Sequence, residues 1–191
     1  MKIKIGCFAL LLFLTLLFTH SYFALSALTA ILIHESGHII AAKKTKIKMS
    51  LCKIDIFGAA LTPASNDFSY SDEIFLCICG PALNFFTAAV ALPFYFVTES
   101  SVVLYFVLAS LSLGLLNLIP IKGFDGGRIF MAILCLLTDI YTADKILSAI
   151  SFICIFILWV MSVYFLLVSG SNLSLFVFSI SLFLKIFVKE N

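Results

Sequence analysis

A chain of 191 residues that is 63% hydrophobic and 12% charged, with a mean hydropathy of +1.20, carries more apolar surface than a soluble domain of this size can cover. That excludes an ordinary globular enzyme and points to one integral membrane unit over residues 1–191. A net charge of +2 is too small for a nucleic-acid partner, and the six cysteines lie mostly inside apolar runs. Their spacing fits neither a disulfide framework nor a structural zinc site, so Cys77 and Cys79 read as small buried hydrophobes.

The N-terminus, Met1-Lys2-Ile3-Lys4 followed by an apolar run, has the look of a signal peptide. No small-x-small cleavage pattern follows it, and a second apolar segment begins at once. The reading is therefore a retained helical hairpin. Apolar segments fall near 3–19, 22–42, 73–97, 102–119, 149–168 and 173–188. Each approaches the ~20 residues that cross a bilayer core. A shorter apolar piece, 127–138, follows the Gly123–Arg128 stretch. The expected fold is an all-α polytopic membrane protein of about six transmembrane helices.

Charge gives this topology a direction. If the N-terminus is inside, Lys2, Lys4, Lys43, Lys44, Lys46, Lys48, Lys53, Lys122, Arg128, Lys145, Lys185 and Lys189 all fall on the inner side, and the three outer loops have no Lys or Arg. Both termini are then expected in the cytoplasm. The longest non-spanning stretch, 43–72, carries alternating, β-favouring residues over Ile47–Phe57, punctuated by Gly58 and Pro63. A short strand or hairpin at the cytoplasmic side is expected there.

The second span holds the chemistry. His34-Glu35-Ser36-Gly37-His38 interrupts an otherwise apolar run from Ala24 to Ala42. This is an HExxH pattern: on a helix, residues i and i+4 share a face, so both imidazoles can reach one Zn²⁺, with Glu35 beside it as an acid/base toward water. Ionisable groups at membrane depth are costly and mark function by default. His38 lies about 6 Å and His34 about 12 Å from the Ala42 end of the span.

A catalytic zinc site needs a third protein ligand. The remaining histidine, His20, is on the outer side in this topology. The inner carboxylates are Asp55, Asp67, Asp72, Glu73, Asp125, Asp139 and Asp144. Asp125 stands out in Asn117-Leu118-Ile119-Pro120-Ile121-Lys122-Gly123-Phe124-Asp125-Gly126-Gly127-Arg128. Pro120 and Gly123 should break a helix here, and such backbone is tolerated at membrane depth only when buried or lining a cavity. Asp125 either caps the next helix or ligates the metal. A two-histidine site one ligand short favours ligation. In Gly80-Pro81-Ala82-Leu83-Asn84, Gly80 and Ala82 permit close helix packing, and Pro81 frees a carbonyl. Asn84 reads on physics alone as an interhelical hydrogen-bonding group, and Asn117 as a partner for unwound backbone near Pro120.

HESGH, GPALN and NLIPIKGFDGG, in this order on separate apolar segments, resemble the site-2 protease family of intramembrane zinc metalloproteases. The resemblance covers roughly Ala24 to Arg128. It implies His34, His38 and Asp125 as ligands of one Zn²⁺ per chain, Glu35 as the catalytic acid/base, and Asn84 and Asn117 near the active site in substrate handling. It also implies a membrane-protein or membrane-associated substrate, a bacterial cell membrane, regulated intramembrane proteolysis and a regulatory membrane partner. The six-span layout resembles the branch that includes the sporulation protease acting on a pro-sigma factor, without the C-terminal nucleotide-sensing CBS domain common in that branch.

Three rival readings are weighed against it. A CAAX-processing type of HExxH protease would use a downstream glutamate on a later span, and none is present there. A metal transporter using His34, Glu35 and His38 would need polar groups through both membrane halves, and the outer halves are nearly bare. A catalytically inactive scaffold fits poorly with an intact His, Glu and Asp set.

Overall fold

The computed structural model describes residues 2–5, 22–45, 49–55, 58–63, 69–169 and 173–187, with side chains over 22–45, 69–168 and 176–183. The chain divides into two compact units, Met1–Leu118 and Ile119–Asn191.

The first unit contains helices α1 (Tyr22–Thr45), α2 (Tyr70–Thr98) and α3 (Ser101–Asn117) and three short strands. The strands β1 (Lys2–Ile5), β2 (Met49–Asp55) and β3 (Gly58–Pro63) form one sheet in the order β1-β2-β3. β1 runs parallel to β2, with Lys2 opposite Leu51, and β2 runs antiparallel to β3, with Cys52 opposite Leu61. The span expected at 3–19 thus begins as a strand; its remainder, 6–19, and His20 lie outside the described residues.

Each pair among α1, α2 and α3 is in contact, and the sequence shows why they pack closely. The buried face of α1 is Ser26, Ala30, His34, Gly37, His38 and Ala41, a run of small residues broken only by the two imidazoles. Small residues let backbones approach where lipid offers no hydrophobic drive. At Gly37 an added Cβ would overlap the Cys79 carbonyl of α2, so α1 and α2 are nearly in backbone contact. Leu76 joins Ala41 and Ala42 in the core beside it. Polar hydroxyls are silenced locally: Thr29, Ser36 and Thr45 each donate to the carbonyl four residues back, while Ser26 reaches across to Val102 O at 3.2 Å. α2 begins at a capping box in which Ser69 and Asp72 satisfy each other's backbone N–H.

The second unit contains α4 (Asp125–Leu137), α5 (Ile140–Ser169) and α6 (Leu173–Phe187), with α4 and α6 each against α5. The short piece expected at 127–138 is α4. The span expected at 149–168 starts earlier, because Asp139 caps the helix from both carboxylate oxygens: Thr142 N–H donates to Oδ2 at 2.9 Å and Thr142 Oγ1 to Oδ1 at 2.7 Å. The Thr142 backbone N–H, then its hydroxyl, holds the Asp139 carboxyl below its ordinary pKa. Ser162 and Ser179 share a buried 3.0 Å hydrogen bond between α5 and α6.

Six spans were expected. Among the described residues three helices, Tyr22–Thr45, Tyr70–Thr98 and Ile140–Val168, are long and apolar enough to cross a membrane, with Ser101–Asn117 a shorter apolar helix. At 17 residues α3 extends about 26 Å against a hydrocarbon core of about 30 Å.

Candidate metal centre

The buried faces of α1 and α2 meet at His34 and His38, which are 4% and 5% exposed. One helical turn apart, the two rings stand edge to face with centroids 4.8 Å apart, and their Nε2 atoms are 3.1 Å apart. Two nitrogens bound to one tetrahedral zinc at about 2.0–2.1 Å lie about 3.3–3.4 Å from each other. The spacing is thus within a few tenths of an ångström of a shared ligand edge, and the imidazole pair fits the ion.

Two groups on α2 hold the far sides of these rings. His38 Nδ1 is 2.9 Å from the Leu76 carbonyl, so its N–H donates there and Nε2 keeps its lone pair. Leu76 immediately precedes Cys77, whose carbonyl Pro81 deprives of its helical donor. The receiving turn is therefore the one that the proline opens. His34 Nδ1 is 3.2 Å from the Asn84 side-chain amide, and Asn84 is fully buried. Gly80 leaves the space between: a Cβ there would sit 2.6 Å from His38 Cε1 and 3.0 Å from His34 Cε1. Glu35 is half-buried, roughly 100° around the helix from His34.

In the second unit, Asp125 opens α4 and is 7% exposed. The loop before it is tightly held. Ser151 of α5, fully buried, accepts from Lys122 N–H at 2.9 Å and donates to Pro120 O at 3.3 Å. Phe124 N–H donates to Ile121 O at 3.0 Å. A Cβ at Gly127 would overlap that same Ile121 carbonyl, so the loop folds directly onto the first turn of α4. The helix break anticipated at Pro120 and Gly123 is present: α3 ends at Asn117 and Gly123 takes φ 97°. The N-cap position of α4 is Phe124, and Asp125 is the first residue of the helix. Asn117 donates to the Leu113 carbonyl at 3.0 Å, in the last turn of its own helix, instead of serving the unwound backbone after it.

Residues 96–161 match the model of peptidase family M50, a family of zinc metallopeptidases. The chain is also similar in fold to the site-2 protease from Methanocaldococcus jannaschii, with a TM-score of 0.69 and 21% identity over 99% of this chain and 90% of that one. The site-2 protease resemblance read from the motifs thus meets a family-model match over 96–161 and a likeness in fold. A comparison with curated proteins gives no match.

The site-2 protease motifs expected from sequence fall as follows. His34, His38 and Asn84 come together in the first unit, and Asp125 begins the buried first turn of α4 in the second. The Leu76 carbonyl, Gly80 and Ser151 were not singled out for these contacts. Pro81 pointed only to the neighbouring Cys77 carbonyl, the one that a proline four residues on leaves without its helical donor. Ser151 gave no signal, because a serine among apolar residues has no pattern that names its partner.

Proposed function

We propose that this chain is an intramembrane zinc metalloprotease that hydrolyses peptide bonds of membrane-associated substrates in the cytoplasmic half of a bacterial membrane, as one protease domain with both termini inside. The observation that carries the reading is the buried His34–His38 pair, with Nε2 atoms at ligand-edge spacing in a helix long and apolar enough to cross a bilayer. Asp125 is the proposed third ligand. Two imidazoles and one carboxylate would be a composition suited to a zinc site that keeps one position for chemistry.

Bound there, zinc would supply Lewis acidity that polarises the scissile carbonyl and makes water a nucleophile near neutral pH. Glu35 would take the proton of the attacking water on its carboxylate and deliver it to the leaving amine nitrogen. The Leu76 carbonyl keeps His38 in the tautomer whose Nε2 can donate to the ion. Leu76 and Asn84 hold the Nδ1 sides of the imidazoles, and Gly80 leaves room beside their Cε1 edges. Water must enter from the cytoplasmic end, and the substrate must be extended, because helical carbonyls are already hydrogen-bonded. β3, an edge of the described sheet, offers a template for an extended substrate segment. Asn117, the last residue of α3, is a substrate-handling candidate.

The reading includes regulated proteolysis of a membrane protein, with a regulatory membrane partner and no nucleic acid. The test is comparative: in a strain lacking this chain, an intact membrane protein should accumulate while its cytoplasmic fragment disappears, and restoring the wild-type chain should restore the fragment. Identical membrane fragments in both strains would count against the proposal.

A further inference from the structure

We infer that Asn84 is a positioning residue for the metal: its side-chain oxygen, Oδ1, takes the Nδ1–H of His34 and so fixes His34 as an Nε2 ligand. The inference rests on the zinc reading above.

A neutral imidazole has one protonated and one lone-pair nitrogen. The Nε2 atoms of His34 and His38 face each other at 3.1 Å, so coordination by both requires that each ring carry its proton on Nδ1. His38 meets this condition through the Leu76 carbonyl at 2.9 Å. His34 needs an acceptor at the same place, and the group there is the Asn84 amide, with Nδ2 3.2 Å from His34 Nδ1. In that orientation two donors would face one another once His34 is protonated on Nδ1. Meanwhile Asn84 Oδ1 is buried with no partner. A half-turn about the last side-chain bond exchanges the nearly identical oxygen and nitrogen positions. It brings the stranded Oδ1 to the His34 Nδ1–H and gives both ligand rings an acceptor on α2.

The placement is specific. Asn84 is fully buried, one turn beyond Gly80 on the same face of α2. Gly80 in turn gives the two rings their room. A side chain that served only to join helices would not need an acceptor on that atom. The role is thus to select a tautomer and hold a ring, with no contact to substrate required.

The experiment uses the full chain in detergent or nanodiscs and measures zinc affinity by competition with a chromophoric chelator, with thermal unfolding alongside. Asn84→Leu, similar in size and without an acceptor, should weaken zinc binding by about 10–100-fold, the usual effect of losing the group behind a ligating histidine. Asn84→Asp, whose carboxylate can only accept, should hold zinc at least as tightly as wild type. Rescue by Asp is the readout that a purely packing role would not give. Wild-type zinc affinity in Asn84→Leu, or Asn84→Asp binding as weakly as Asn84→Leu, overturns the inference while leaving the zinc reading intact. Should Asn84→Leu not fold, weakened binding in Asn84→Asp overturns it alone. Absence of stoichiometric zinc from the wild-type chain and from its His34→Ala variant alike overturns both.

Discussion

Substituting Gly80→Ala adds one methyl group against the two imidazoles. The new Cβ would lie 2.5 Å from His38 Nε2 and 2.6 Å from His38 Cε1, where ordinary contact begins at 3.4 Å. Relief requires the imidazole to retreat by about 0.9 Å if α2 holds its place. Metal–ligand distances tolerate only about 0.2 Å, so the ring cannot both avoid the methyl and keep its bond. A displacement of about 1 Å at a reacting centre costs on the order of 100-fold in rate, equivalent to about 2.7 kcal/mol of barrier. Zinc affinity should fall by at least the 10–100-fold typical of losing a supporting group. The assay is zinc titration and cleavage of a membrane-anchored peptide by the purified variant. Thermal unfolding in the same detergent separates loss of the site from loss of the fold. Wild-type zinc affinity together with wild-type cleavage in Gly80→Ala would refute the argument that this glycine makes room for the ligands.

Two further outcomes follow from the second unit. Asp125→Ala should lower zinc occupancy by metal analysis, because it removes the proposed carboxylate ligand; full occupancy would return Asp125 to a structural role at the start of α4. Ser151→Ala should leave the Lys122 N–H without its buried partner, at a cost of about 1–3 kcal/mol. The melting temperature should drop, and zinc affinity should weaken because the Ile119–Phe124 loop leads directly into Asp125. Unchanged values for both would remove Ser151 as the clamp on that loop.

The histidine-bearing helix was legible because an i, i+4 histidine pair in an apolar run leaves few alternatives, and α1 does place both rings on its buried face. The break after Asn117 was legible from Pro120 and Gly123, whose backbone preferences act locally. Legibility failed where partners are set by packing between helices. Asn84 announced that a buried amide needs a partner, but only the meeting of α1 and α2 names His34. Leu76 contributes a backbone oxygen, which no side-chain pattern can reveal. The start of α5 at Ile140 was missed because its first turns are polar, and a hydropathy window does not register a helix that owes its start to the Asp139 cap. The strand at Lys2–Ile5 was hidden for the converse reason. Its residues are apolar enough to extend the following run, whereas their pairing with Leu51–Ile54 is non-local.

The central claim is that this chain cuts peptide bonds with zinc held by His34 and His38 and with Glu35 moving the proton. The most direct measurement compares wild type and Glu35→Gln, reconstituted with a candidate membrane substrate, for zinc content and cleavage rate in the same vesicles. Zinc should remain stoichiometric in both, because Glu35 is not a ligand. Cleavage should fall by about 100- to 10,000-fold, the range that general acid–base catalysis contributes. Cleavage by Glu35→Gln at the wild-type rate, with zinc in place, would contradict the account.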